Sequence, residues 1–194
     1  MTTTLPALLG RRAPVADLGR LLDDLGPEGR PAALAALGRA EQQALYELAG
    51  PADLEAFAGP AGAPPAPHLG WNTLPLPAFG RAFTKWMVHT PAGIGGYNAS
   101  PFRLLIGPGY FTLRATVGEE QAHGTVVVDY YTTPAGPFPA DWPWVFPSWL
   151  GPQALVYGWC HDYLRRVSDD VTIGAAYKWG RSVGSWFVLC RDRR

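Results

Sequence analysis

Between positions 110 and 117 apolar and polar side chains alternate strictly. Phe111, Leu113, Ala115 and Val117 fall on one face of an extended chain, and Tyr110, Thr112, Arg114 and Thr116 on the other. A period of two predicts a strand with one buried face, and Pro108-Gly109 ahead of it supplies a tight turn. Gly124 to Tyr131, dense in β-branched and aromatic residues, predicts a second strand, reached through the polar stretch Glu119 to His123. Val171 to Trp179 and Val183 to Cys190 flank the hairpin signal Gly180-Arg181-Ser182. Ala78 to Val88 and Ala154 to Tyr163 are further strand segments, the second with the option of turning helical over Asp162 to Val167. Leu104 to Ile106 is strand-like, whereas Gly93-Ile94-Gly95-Gly96, after a proline turn, reads as a loop. Short strands joined by tight turns, without long helical patterns between them, predict an antiparallel barrel or sandwich and argue against a doubly wound α/β sheet.

The first sixty residues follow another period. Val15, Leu18, Leu22 and Leu25 recur at helical spacing behind Pro14, and Gly26-Pro27 stops the pattern. Pro31 to Leu37, Ala40 to Ala49 and Pro51 to Ala58 predict three more short helices. So few residues with few large apolar groups are marginal alone, so the leucine stripe needs a partner surface. Gly59 to Pro67 has no periodicity and no large side chain before His68, as expected of a semi-extended linker. The expected organisation is a helical cap over 1–58, a linker over 59–70 and an antiparallel β-barrel over 71–194.

Composition sharpens this division. The chain of 194 residues holds eight each of Trp, Tyr and Phe, yet only Tyr46 and Phe57 precede Trp71. Its 16 basic and 16 acidic groups cancel, but residues 1–60 carry a net −3 and the remainder +3, which would let the two blocks dock. Overall neutrality removes the electrostatic footprint of a nucleic-acid binder or a polybasic membrane module. No apolar run reaches the length of a membrane span, and Met1-Thr2-Thr3-Thr4-Leu5-Pro6 lacks the pattern of a secretory leader, so a cytoplasmic location is expected. Cys160 and Cys190 are then expected as free, buried thiols.

The C-terminal third carries a likeness. Val156-Tyr157-Gly158, the run Asp162 to Gly174, and Ser185 to Arg191 resemble the closing strands of uncharacterised bacterial calycin-like proteins that carry a G-x-W-x-G motif. Gly70-Trp71-Asn72 departs from that motif, with Gly and Trp adjacent. The resemblance implies a lipocalin or fatty-acid-binding type of barrel, closed around a cavity for a small apolar or amphipathic molecule.

Aromatic side chains in such a barrel either fill it or wall a ligand cavity. The candidate walls are Trp71, Trp86, Tyr131, Tyr157 and Trp159, joined by Tyr110 and Trp186, with Asn98, Arg114, Tyr131 and Tyr157 as polar anchors. Arg114 pairs a ligand carboxylate if its face points inward; if it points outward it is a solvated residue, with Asp129 on the neighbouring strand as its partner. Pro134 to Pro152, with six prolines and three tryptophans, is either a lid over the barrel mouth or a cover for a sheet edge.

Binding of a small hydrophobic or carboxylated molecule is therefore the expected function. The alternative is a cofactor-independent cyclase or isomerase of an apolar metabolite, with Asp129, His161 and Tyr163 as acid–base groups. A third possibility is a protein-interaction module presenting the leucine stripe and the Trp-rich segment. His68, His89, His123 and His161 lack the spacing of a zinc site, and nucleophile-elbow, phosphate-loop and dinucleotide motifs are missing, so neither metal nor cofactor is expected.

Overall fold

The computed structural model describes residues 4–193, so Met1 to Thr3 of the opening stretch lie outside the described residues. Helices α1 (Leu5–Gly10), α2 (Val15–Asp24), α3 (Gly26–Ala35) and α4 (Arg39–Leu48) come first, followed by a two-residue strand β1 (Gly50–Pro51) and the short α5 (Glu55–Ala58). Then come β2 (Ala66–Asn72), α6 (Ala78–Arg81), β3 (Ala82–Thr90), β4 (Gly93–Ala99), α7 (Arg103–Ile106), β5 (Phe111–Ala115), β6 (Val126–Asp129), β7 (Cys160–Arg166), β8 (Val171–Lys178) and β9 (Arg181–Arg191). Strands β2 to β9 pair antiparallel in the order β7-β6-β5-β4-β3-β2-β9-β8, and β8 returns to β7. The result is a closed eight-stranded barrel, with β1 added beside the far end of β7.

Closure creates two cores. On the outer face of β8 and β9, Val171, Ile173, Ala175, Val188 and Cys190 pack against Leu5, Leu8, Leu18, Leu22, Leu34 and Leu45 of the helices. The leucine stripe thus finds the partner it lacked. The contact is not a simple meeting of opposite net charges: a cap cation, Arg30, pairs with a barrel anion, Asp170, at 2.9 Å. The second core fills the barrel with Met87, Ile94, Phe111, Leu113, Val128, Leu164 and Phe187, and Phe57 of α5 enters it from the cap side.

Three inward glycines shape that interior. Gly70, Gly96 and Gly174 stand directly opposite Phe83, Phe111 and Phe187 on their neighbouring strands. Each ring lies over its glycine so closely that a β-carbon there would collide with it. Glycine in a strand interior marks such an approach. This accounts for β4, which the glycine run Gly93 to Gly96 disguised as a loop: Gly96 takes the Phe111 ring on the inside, while Gly95 takes Pro134 and Phe138 on the outside.

Other boundaries move as well. β2 starts at Ala66, so much of the expected linker is a barrel strand, paired on both sides. Leu104 to Ile106 is a helical turn, because the chain must reverse between β4 and β5. Asp162 to Arg166 stays extended in β7, and α3 runs through Pro31 from a start at Gly26 where a break was expected.

Candidate functional site

The barrel centre holds a lysine. In β3, Phe83, Lys85 and Met87 alternate onto the inner face, which places the Lys85 side chain 2% exposed among apolar neighbours. Its Nζ donates to Asn98 Oδ1 at 2.9 Å, to the Tyr130 phenol oxygen at 2.6 Å and to Asp162 Oδ2 at 3.3 Å. Asn98 donates in turn to the Gly109 carbonyl at 2.9 Å and to Tyr130 at 3.1 Å. The rings of Phe111, Tyr130, Phe187 and Phe83 surround the ammonium group at 4.8, 5.1, 5.2 and 5.7 Å, a cation–π cage built largely from the phenylalanines that lie over glycines. Burial pushes the Lys85 ammonium down and the Asp162 carboxyl up from their ordinary values, each against the pull of the other. The Cys160 thiol beside them is likewise pushed up, to about 12, by burial.

Above this network the barrel is sealed. Gly109, at φ 53°, lets the Tyr157 ring lie against its backbone, and Tyr157 stacks on Tyr130 at 5.3 Å. The Gly109 N–H is held by Gln153 Oε1 at 3.1 Å. The proline-rich segment does two jobs. Pro134 and Phe138 cover Gly95, and Trp142 meets Tyr97 edge-on at 4.8 Å. The Tyr110 hydroxyl donates to the Pro143 carbonyl at 2.5 Å, so this part lies on the outer face of β4 and β5. Residues 151–157 then cross the barrel end.

The expected cavity walls are therefore distributed differently. Asn98 faces inward and Tyr157 caps the end, but Trp71, Trp86 and Arg114 lie on the outer wall, because their inward neighbours Gly70, Lys85 and Leu113 take the other face. Tyr131 and Trp159 stand at the barrel end, each 41% exposed. Tyr110 is buried beneath the proline-rich segment, and Trp186 is on the outer wall under Arg39. What walls the interior instead is Phe83, Phe111, Tyr130 and Phe187. Lys85 went unremarked in the sequence, although its place between Phe83 and Met87 on an apolar strand face was the available signal.

Asp129, His161 and Tyr163 also stand on the outer wall. Arg114 binds Asp129 Oδ2 through Nε at 3.1 Å and Glu120 through both terminal nitrogens at 2.8 and 2.9 Å. His161 Nε2 lies 3.4 Å from Asp129, and the His161 ring lies tilted against Tyr131 at 4.6 Å. Burial opposes ionisation of Asp129, but hydrogen bonds from His161, Arg114 and the Tyr131 N–H outweigh it and hold the carboxyl at about 2. Arg114 holds Glu120 at about 2 in the same way. Tyr163 is buried against His123 and Tyr177.

Two hollows remain. A pocket of about 20 Å³, the size of one water molecule, lies at the cap end between Phe57, His68, Ser168, Thr172 and Arg191. An open groove of about 510 Å³ runs along β2, β3 and the end of β4, lined by Leu69, Trp71, Ala82, Thr84, Pro101 and Arg103. Ser100 also lines it, with a buried hydroxyl that has no hydrogen-bond partner. Among the described residues no cluster of His, Cys, Asp and Glu forms a metal-binding group. No family model, curated protein or solved structure matches the chain.

Proposed function

We propose that the protein binds a small apolar molecule with a carboxylate end group, and that it does so in the outer groove beside the barrel end. The observation that carries this reading is the groove itself. Its volume falls in the range of small-molecule sites, about 300–1,000 Å³. Trp71, Leu69 and Pro101 supply an apolar bed, while Arg103 supplies a donor for an anionic end. The barrel interior is a poorer candidate because Lys85, Asp162, Tyr130 and Asn98 satisfy one another and the phenylalanines fill the space around them. The closed eight-stranded barrel supports a calycin-like relationship, with the ligand moved from the inside to the wall. Two free, buried cysteines suit a reducing, cytoplasmic setting. Nucleic acid is not the partner in this reading, and the cyclase or isomerase alternative finds Asp129 already held by Arg114 and His161 on the outer wall.

The test is a tryptophan-fluorescence titration with dodecanoate, and in parallel with dodecanol. A saturable response to the acid at one site per chain is expected. Losing a charge-assisted contact of about 1.5–3 kcal/mol in Arg103→Met weakens it roughly 10- to 100-fold. Trp71→Leu should weaken binding of acid and alcohol alike. No saturable response, or equal binding by Arg103→Met, overturns the reading.

A further inference from the structure

The strand directions gather four connections at one end of the barrel. Trp71 pairs with Ala82, Thr84 with Ala99, Thr112 with Asp129, and Cys160 with Lys178, so residues 73–81, 100–110, 130–159 and 179–180 all emerge together. The exposed large apolar side chains are concentrated there. Of those among the described residues, all but Leu25 and Val117 lie on these connections or within three residues of them. Leu104 is 93% exposed, Trp144 87% and Leu155 84%, and Trp149, Leu150 and Trp179 are at least half exposed.

Two further observations give this end a purpose. Trp159 and Trp179 both hold positive φ, 56° and 50°, a conformation that bulky side chains rarely adopt, and their indoles stack on each other at 6.0 Å in solvent. Backbone strain is spent here on presenting two tryptophans outward. The charges are also one-sided. Counted with the strand residues directly beside them, these connections carry Arg81, Arg103, Lys178 and Arg181 against Asp129 and Asp141, whereas those at the opposite end (52–65, 91–92, 116–125 and 167–170) carry six carboxylates against Arg166 alone. Neutrality of the whole chain conceals this asymmetry.

We infer that this end of the barrel docks on an anionic lipid surface. Tryptophan and leucine side chains spread over several separate connections suit a fluid headgroup layer better than a rigid protein partner, which requires a packed and complementary patch. Tryptophan favours the headgroup level, and the flanking cations add attraction to anionic lipid. No helix among the described residues is long and apolar enough to cross a membrane, so the contact is peripheral. It stands independently of the groove reading, although the groove opens near the same end through Pro101 and Arg103.

The experiment is co-sedimentation of the full chain with vesicles of phosphatidylcholine alone and of phosphatidylcholine with phosphatidylglycerol, at low and high salt. Partitioning at least 10-fold stronger onto the anionic vesicles, weakened by high salt and accompanied by a blue shift of tryptophan emission, is expected. The triple variant Leu104→Ser, Trp144→Ser, Leu155→Ser should lose at least 10-fold of that partitioning. Its three side chains are almost fully solvated, so circular dichroism should find the fold intact. Three results would overturn the proposal: no partitioning of the wild-type chain at excess anionic lipid, equal partitioning of the triple variant, or a wild-type oligomer that the triple variant converts to monomer. The last would assign the surface to a second copy of the chain.

Discussion

Lys85 donates to the phenol of Tyr130 at 2.6 Å in the middle of the barrel, and the same ammonium reaches Asp162 at 3.3 Å. Both charges belong to the interior, and each is tolerated because the other and the surrounding hydrogen bonds offset its desolvation.

Removing one member should therefore cost more than removing both. Lys85→Met leaves the Asp162 carboxyl buried without its cation and is expected to lose about 3–5 kcal/mol. Lys85→Met with Asp162→Asn keeps an amide beside Tyr130 and removes the uncompensated charge, so part of that loss should return. Urea denaturation of the wild type, both single variants and the double variant measures the coupling. A loss in the double variant equal to the sum of the two single losses would show that the two groups do not support each other.

The glycine–phenylalanine pairing makes an equally direct claim. A β-carbon at Gly96 would stand 2.7 Å from the Phe111 ring and closer still to the Trp86 carbonyl, which is backbone and cannot rotate away. Gly96→Ala should cost at least the about 1–3 kcal/mol typical of overpacking, by shift of the urea midpoint. Gly10→Ala, at a site with open space around the added carbon and an ordinary φ, should be neutral or slightly stabilising.

These glycines also explain what could and could not be seen in the sequence. The strict alternation from Tyr110 to Val117 announced β5, and the leucine spacing from Val15 to Leu25 announced α2, because each lays a regular stripe on one core. β4 escaped because its inward and outward positions are glycines that accept rings from elsewhere, so its burial is written in Phe111 and Phe138 instead. β2 escaped because its inward positions are Ala66, His68 and Gly70, too small or too polar to form an apolar pattern. The pairing of Arg114 with Asp129 followed from adjacent strands. The Lys85 network did not, since it joins β3, β4, β6 and β7 across the barrel. The groove is set by the curvature of β2 and β3 and by where the α7 turn places Arg103, quantities that a linear pattern does not contain.

His68 gives a pH dependence with a definite sign. Burial beside Phe57, with help from the positive Arg191 and Lys85, lowers its pKa from 6.5 to about 4, against the backbone carbonyl of Ala66 and the charge of Asp170. Between those two values the unfolded chain binds a proton that the folded chain refuses. Stability therefore falls as pH drops from 6.5 to 4, by roughly 3 kcal/mol from this group. Denaturation of wild type and His68→Gln at several pH values isolates the effect. Contributions of opposite sign, such as the raised Asp162, cancel in the difference. A wild-type-minus-variant stability that stays flat across that window would refute the assignment.

The cap and the barrel should melt as one body. Every tryptophan lies at position 71 or beyond, so tryptophan emission reports the barrel, with Trp71 and Trp186 also sensing the cap packed against them. Leu18 lies in the cap and is fully buried against the outer face of β8 and β9. Leu18→Ala removes contacts across that face and should cost about 2–5 kcal/mol. If the shared core and the Arg30–Asp170 pair make the two blocks a single cooperative unit, the tryptophan-monitored transition shifts by the full amount and coincides with the loss of helix seen by circular dichroism. A helical signal that melts early while the tryptophan transition stays at its wild-type midpoint would mean that the barrel stands without its cap.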